Sequence, residues 1–135
     1  MKLHLNDTFN QQLPADSNVS NTRRQVFEAA FSFVSPRVPS RPKLLHVADE
    51  VTQLLGISKA ETQSLDFLNL VSGSTVYPET KPYAMAYAGH QFGNWAGQLG
   101  DGRATNLFEI LHNNQRWTLQ LKGAGETPYS RTADG

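Results

Sequence analysis

The stretch 97-GQLGDGRATNLFEI-110 places Gly97, Gly100 and Gly102 within six residues and then turns apolar. A second stretch, 116-RWTLQLKGAG-125, alternates apolar and polar side chains and carries Lys122 at its end. Residues 103–111 and 116–122 predict two strands joined by the polar turn 112-HNNQ-115. In the second strand Trp117, Leu119 and Leu121 point one way, and Thr118, Gln120 and Lys122 the other, because strand side chains alternate with period two. The apolar set is read as core.

The glycines admit two readings. Asp101-Gly102 is a standard hairpin-turn dipeptide. Glycines also let backbone N–H groups approach a phosphate, because no Cβ intervenes. Arg103 adds a cation at the rim, where a guanidinium could fork onto phosphate oxygens or simply sit in water. Lys122 lies 20 residues after Gly102. Strand, glycine-rich loop, strand, turn and lysine-bearing strand is the order of a protein-kinase N-lobe, whose lysine reaches the phosphates. A solvated surface lysine is the competing reading. No Walker A pattern is present, since no Gly-Lys-Ser/Thr follows a glycine at the required spacing.

Working outward, residues 1–19 read as polar loop, broken by Pro14. Ser20 or Asn21 could cap a helix carrying Val26, Phe27, Ala30, Phe31 and Val34 at helical spacing. The segment 35-SPRVPSRP-42 holds three prolines in eight residues and predicts an extended connector. Leu44, Val47, Ala48, Val51, Leu54 and Leu55 then share a helical face, with Gly56 at the stop. Ser58 and Glu61 form a capping box opening a short helix through about Leu70, closed by Gly73. In 83-YAMAYAGHQFGNWAGQ-98, Pro82 could start a short helix, which Gly89, Gly93 and Gly97 would break.

Composition narrows the function classes. Of 135 residues, 39% are apolar and 18% charged, as in an ordinary globular domain. Twelve basic residues balance twelve acidic ones, split 7 to 8 over residues 1–80 and 5 to 4 over 81–135. No basic patch results, which argues against nucleic acid as a partner. There are no cysteines, which removes disulfides and thiolate metal sites and fits a reducing compartment. No apolar run approaches the ~20 residues a membrane span needs, and no targeting signal is seen, so no membrane and a cytoplasmic location are expected. His4, His46, His90 and His112 lack metal-ligand spacing, there is no G-x-S-x-G elbow, and Ser130 has no evident base nearby.

The blocks 87-YAGHQFGNWAGQLGDGRA-104 and 119-LQLKGAGETPYSRTADG-135 resemble the signature blocks of the selenoprotein O family. Residues 13–45 are similar to that family's N-terminal segment, so the resemblance covers nearly the whole chain. Phe108 departs from it, standing where relatives usually carry glycine. The resemblance implies a kinase-like protein adenylyltransferase, a "pseudokinase" that binds ATP inverted and transfers AMP to Ser, Thr or Tyr hydroxyls of proteins. It implies nucleotide contacts at Gly100, Gly102, Arg103, Lys122, Asp134 and Gly135. It also implies that the catalytic base, the Mg²⁺ (or Mn²⁺) ligands and the glutamate positioning the lysine lie beyond this chain.

The fold class expected is therefore α+β. A mainly helical region over 1–80 leads into the start of a kinase-like nucleotide-binding lobe over 81–135, incomplete and open to self-association. An ordinary phosphoryl-transferring kinase and a non-catalytic nucleotide-binding or interaction module are the rival functions.

Overall fold

A computed structural model describes residues 1–131. In chain order it contains α1 (Phe9–Gln12), β1 (Phe31–Phe33), α2 (Asp49–Leu54), α3 (Lys59–Thr62), α4 (Leu65–Val71), β2 (Tyr83–Gln91), β3 (Asn94–Gly100), β4 (Ala104–His112) and β5 (Gln115–Lys122). Short helices and a five-stranded antiparallel sheet make this an α+β protein, as expected.

The sheet runs β1-β2-β4-β5, and β3 pairs with β2 off that path. The start of β2 belongs to the main sheet, with Tyr83 opposite both Phe33 and Asn106. The rest of β2 leaves the sheet and pairs with β3, from Ala86 opposite Gly100 to Gln91 opposite Asn94. Between them Phe92 and Gly93 both have positive φ, +51° and +81°, the signature of a two-residue type I′ turn. This ribbon replaces the short helix expected after Pro82. Its residues 83–100 include no Lys, Arg, Asp or Glu, and Phe92 at its tip is fully exposed.

Strands β4 and β5 form the expected hairpin. They pair from Ala104 opposite Lys122 to His112 opposite Gln115, around Asn113-Asn114 at positive φ. Residues Ala104–Ile110 are buried throughout, and Phe108 is completely enclosed, its ring 5.1 Å from that of Tyr77. In β5, Trp117, Leu119 and Leu121 are half-buried against a core of Leu70, Leu107, Phe108 and Ile110. Thr118, Gln120 and Lys122 are exposed, as the alternation requires.

The helices are shorter than their periodicity suggests. Of residues 44–55 only Asp49–Leu54 are helical, and Gly56 stops them at φ +72°. The Ser58/Glu61 capping box is present with both reciprocal bonds. The helix it opens ends at Thr62, and Ser64 caps a new one through Val71, after which Gly73 turns at φ +76°. No helix forms over 20–34. Glu28 sits at φ +56°, and Phe31–Phe33 pair with β2 instead. Phe31 is wholly buried in an aromatic cluster, 5.9 Å from Phe9 and 5.3 Å from Tyr83.

The N-terminus is also part of the fold rather than loose loop. The Asn6 N–H donates to the Glu109 carbonyl and the Leu111 N–H to the His4 carbonyl, both at 2.9 Å. These bonds lay the first residues along β4 on the side that β2 vacates.

Candidate functional site

The glycine-rich stretch does not close a hairpin. Strand β3, which enters it, pairs with β2, whereas β4, which leaves it, pairs with β2 only at Tyr83 and otherwise with β5. Residues 100–103 therefore cross from the projecting ribbon to the main sheet, and the tight-turn reading of Asp101-Gly102 does not hold.

The crossing is fixed from beneath. The Asp101 carboxylate accepts from the Met85 N–H at 3.0 Å and from Asn106 Nδ2 at 2.7 Å, while its own N–H donates to the Met85 carbonyl at 3.0 Å. Thr127 Oγ1 donates to the Asp101 carbonyl at 2.7 Å, and Ser130 Oγ donates to the Gly102 carbonyl. Thr127, Pro128, Tyr129 and Ser130 are all buried. Asp101 is thus a strut, with its charge turned into the sheet.

Lys122 arrives from the other side. It lies opposite Ala104, and the Gly123 N–H donates to the Arg103 carbonyl at 2.7 Å, so the lysine strand is stapled to the loop exit. On the same polar face Gln120 Nε2 donates to Asn106 Oδ1 at 3.0 Å, and Asn106 in turn donates to Asp101. One polar chain therefore links the lysine strand to the underside of the loop.

Gly100, Gly102, Arg103 and Lys122 together line one cleft of about 190 Å³. Asp134 and Gly135, the other two expected contacts, lie outside the described residues. The cleft also takes residues the motifs did not single out. Tyr87, Gln91 and Gln98 come from the ribbon, and Tyr129 and Arg131 from the segment after β5. Arg131 had a weak signal in sequence, a cation nine residues after Lys122 in the same block. Its approach to Gln91, with Nη1 donating to Oε1 at 3.0 Å across 40 residues of chain, had none.

Three cations and no carboxylate line this cleft among the described residues. Burial raises the Tyr87 phenol above its ordinary value; the Asp101 charge adds to the rise and Arg131 opposes it. Burial likewise raises Tyr129, against the hydrogen bond it shares with Ser32 at 2.8 Å. Both phenols stay neutral at physiological pH and supply surface rather than charge. Such a cleft is suited to anionic groups. It is smaller than the ~300–1,000 Å³ of a pocket for a whole drug-sized ligand, so it suits a phosphate moiety. The cavity of about 330 Å³ between α2, α4 and β5 is larger but apolar, lined by Val51, Leu55, Phe67 and Leu121 among others, and contains no cation. No group of three or more His, Asp or Glu that could hold a metal occurs among the described residues. The Ser130 hydroxyl is engaged in holding the Gly102 carbonyl. No helix among them is long and apolar enough to cross a membrane.

Fold and cleft together define an α+β protein with an anion-receptive site between a glycine loop and a lysine strand. The chain belongs to the SelO family: the family model described as protein adenylyltransferase SelO matches residues 16–135. It is similar to the protein nucleotidyltransferase YdiU of Flavobacterium johnsoniae, 62% identical over 133 residues, which is 98% of this chain and 26% of that protein. The YdiU proteins of Tolumonas auensis and Nitrosospira multiformis are each 50% identical, over 98% and 94% of this chain and 26% and 23% of theirs. The chain thus spans about a quarter of the length of the curated relatives it matches.

Proposed function

We propose that the cleft binds the phosphates of ATP, and that the chain is the phosphate-holding part of a protein adenylyltransferase with a kinase-like N-lobe. In that reaction a Ser, Thr or Tyr hydroxyl of an acceptor protein attacks the α-phosphorus. The bond from that phosphorus to the α–β bridging oxygen breaks, and pyrophosphate leaves with the oxygen. The hydroxyl proton passes to a base supplied from outside this chain.

One observation carries the reading: Gly100, Gly102, Arg103 and Lys122, separated by up to 22 residues, converge on one cleft whose described lining residues include three cations and no carboxylate. Their work is electrostatic. The glycines admit phosphate oxygens close to the backbone, and Arg103 and Lys122 offset charge on the phosphates and on the departing pyrophosphate. Holding the polyphosphate fixed also directs the α-phosphorus toward the acceptor. Asp134 and Gly135 complete the set of contacts in this proposal. The described residues do not fit a metal site, so Mg²⁺ or Mn²⁺ would be held by residues beyond them, and the chain alone would be inactive. The names of the family and of its YdiU relatives support the nucleotidyltransferase class.

The test is transfer of label from ATP by the whole protein to an acceptor protein. Label carried over from the α-phosphate but not from the γ-phosphate is the expected result. Label from the γ-phosphate alone would make the protein a phosphoryl-transferring kinase. Label from neither would leave a binding module.

A further inference from the structure

The cavity of about 330 Å³ between α2, α4 and β5 lies on the face of β5 opposite Lys122. Its wall is built from Val51 and Leu55 at α2, Phe67 and Leu70 of α4, and Trp117 and Leu121 of β5. No Asp, Glu, Lys, Arg or His lines it among the described residues. Phe67 and Leu70 are buried whereas Val51 is exposed, so the hollow has a packed floor and an open rim. One polar atom stands out in this wall. Trp117 Nε1 is buried and has no acceptor among the described residues. An indole N–H can only donate, and an unpaired donor in apolar surroundings costs stability. Thr118 and Gln120 turn to the exposed face of β5, and Thr52 Oγ1 is occupied in donating to the Asp49 carbonyl at 3.0 Å.

We propose that this cavity is a binding site for a small, neutral, mainly hydrocarbon molecule whose one acceptor oxygen is received by Trp117 Nε1. Each part of that description follows from the wall. A charged ligand would lose its hydration and find no counter-charge. Hydrocarbon gains from the apolar lining, and the volume falls at the lower end of the ~300–1,000 Å³ usual for small-ligand pockets. The free donor calls for a carbonyl or ether oxygen and gives no place to a further N–H. An apolar wall with one polar group that fixes orientation is the usual build of such a site. Water is the poorer occupant, because it needs several polar partners and leaves the apolar wall unmatched. The site is separate from the anionic cleft and does not rest on the nucleotide reading.

The experiment titrates the whole protein with acetophenone and with α-methylstyrene, which has the same shape but a methylene in place of the carbonyl oxygen. Ligand-detected NMR gives both affinities for wild type, Trp117→Phe and Val51→Trp, and a melting temperature checks that each variant folds. Wild type should bind both ligands. The hydrocarbon leaves water more readily, so the ratio of the two affinities carries the information. In Trp117→Phe the ratio of acetophenone to α-methylstyrene affinity should fall about 2- to 10-fold, as for one lost hydrogen bond. Val51→Trp, which fills the rim, should abolish binding of both. The proposal is overturned if wild type binds neither ligand, if Trp117→Phe keeps the wild-type ratio, or if Val51→Trp binds both undiminished. If Trp117→Phe does not fold, the indole N–H resonances of the wild type decide. One of them should move downfield with acetophenone and not with α-methylstyrene; indole resonances all unmoved by acetophenone overturn the proposal.

Discussion

Gly100 and Tyr129 meet so closely that no side chain fits between them: a Cβ on Gly100 would stand 2.5 Å from Tyr129 Cγ. The same atom would come within 2.6 Å of the Met85 carbonyl oxygen, and Gly100 has φ +152°, which L side chains rarely adopt. This glycine is therefore required by packing as well as by any ligand. Gly100→Ala should destabilise the protein by about 3 kcal/mol or more, from backbone strain and overpacking together. Chemical denaturation measures it. A loss below about 1 kcal/mol would mean that Tyr129 moves aside at little cost.

The ribbon tip should respond in the opposite sense. Phe92 occupies the first position of a type I′ turn at φ +51°, with its ring fully exposed. A bulky residue is costly there, and Asn-Gly is the preferred pair. Phe92→Asn should raise stability by about 0.5–1 kcal/mol, read from the denaturation midpoint. A fall in stability would show that the ring makes a contact its exposure does not reveal.

The parts of this fold legible in the sequence are those whose signals are local. The β4–β5 hairpin was readable because Trp117, Leu119 and Leu121 alternate with polar residues and Asn113-Asn114 suit a turn. The Ser58/Glu61 box and the stops at Gly56 and Gly73 are equally local. The ribbon was not legible, because Ala86 and Ala88 carry little strand propensity and pair only because β3 returns alongside, while Gly89 falls at the register shift before His90. Phe27, Phe31 and Val34 matched a helical period by coincidence; Phe31 is placed instead by burial against Phe9 and Tyr83, distant in sequence. At the site, Gly100, Gly102, Arg103 and Lys122 could be named from their blocks. Gln91 and Tyr129 could not, since they reach the cleft only through tertiary pairing.

Acid should loosen the N-terminal segment. Glu109 Oε2 accepts from the Phe9 N–H at 3.0 Å, from Thr8 Oγ1 at 3.0 Å and from the Thr8 N–H. Burial pushes the Glu109 carboxyl up, but these bonds and the charge of Arg116 outweigh it, and it sits below the ordinary 4.5. A carboxylate lowered in the folded state contributes stability above its unfolded value, and that contribution is lost as pH falls through the folded one. Asp7 runs the other way. Its burial outweighs the Glu109 N–H that it accepts, the Glu109 charge adds to the rise, and its cost is relieved on acidification. Glu109→Gln should therefore cost about 1–2 kcal/mol at neutral pH, and the gap to wild type should close below about pH 4.5. A gap independent of pH between 3 and 7, measured by denaturation on that ~4-unit scale, would contradict this assignment of charge.

In the proposed site Lys122 faces phosphate across the glycine loop. Its strand is held by the bond from Gly123 to Arg103, and its polar face is open, so Lys122→Ala creates no core cavity. The direct measurement is ATP affinity of the whole protein carrying Lys122→Ala, beside its melting temperature. Removing one charge-assisted contact should weaken ATP about 10- to 100-fold and leave melting unchanged, and Lys122→Arg should recover little of the loss. Wild-type ATP affinity in the folded Lys122→Ala protein would contradict the account.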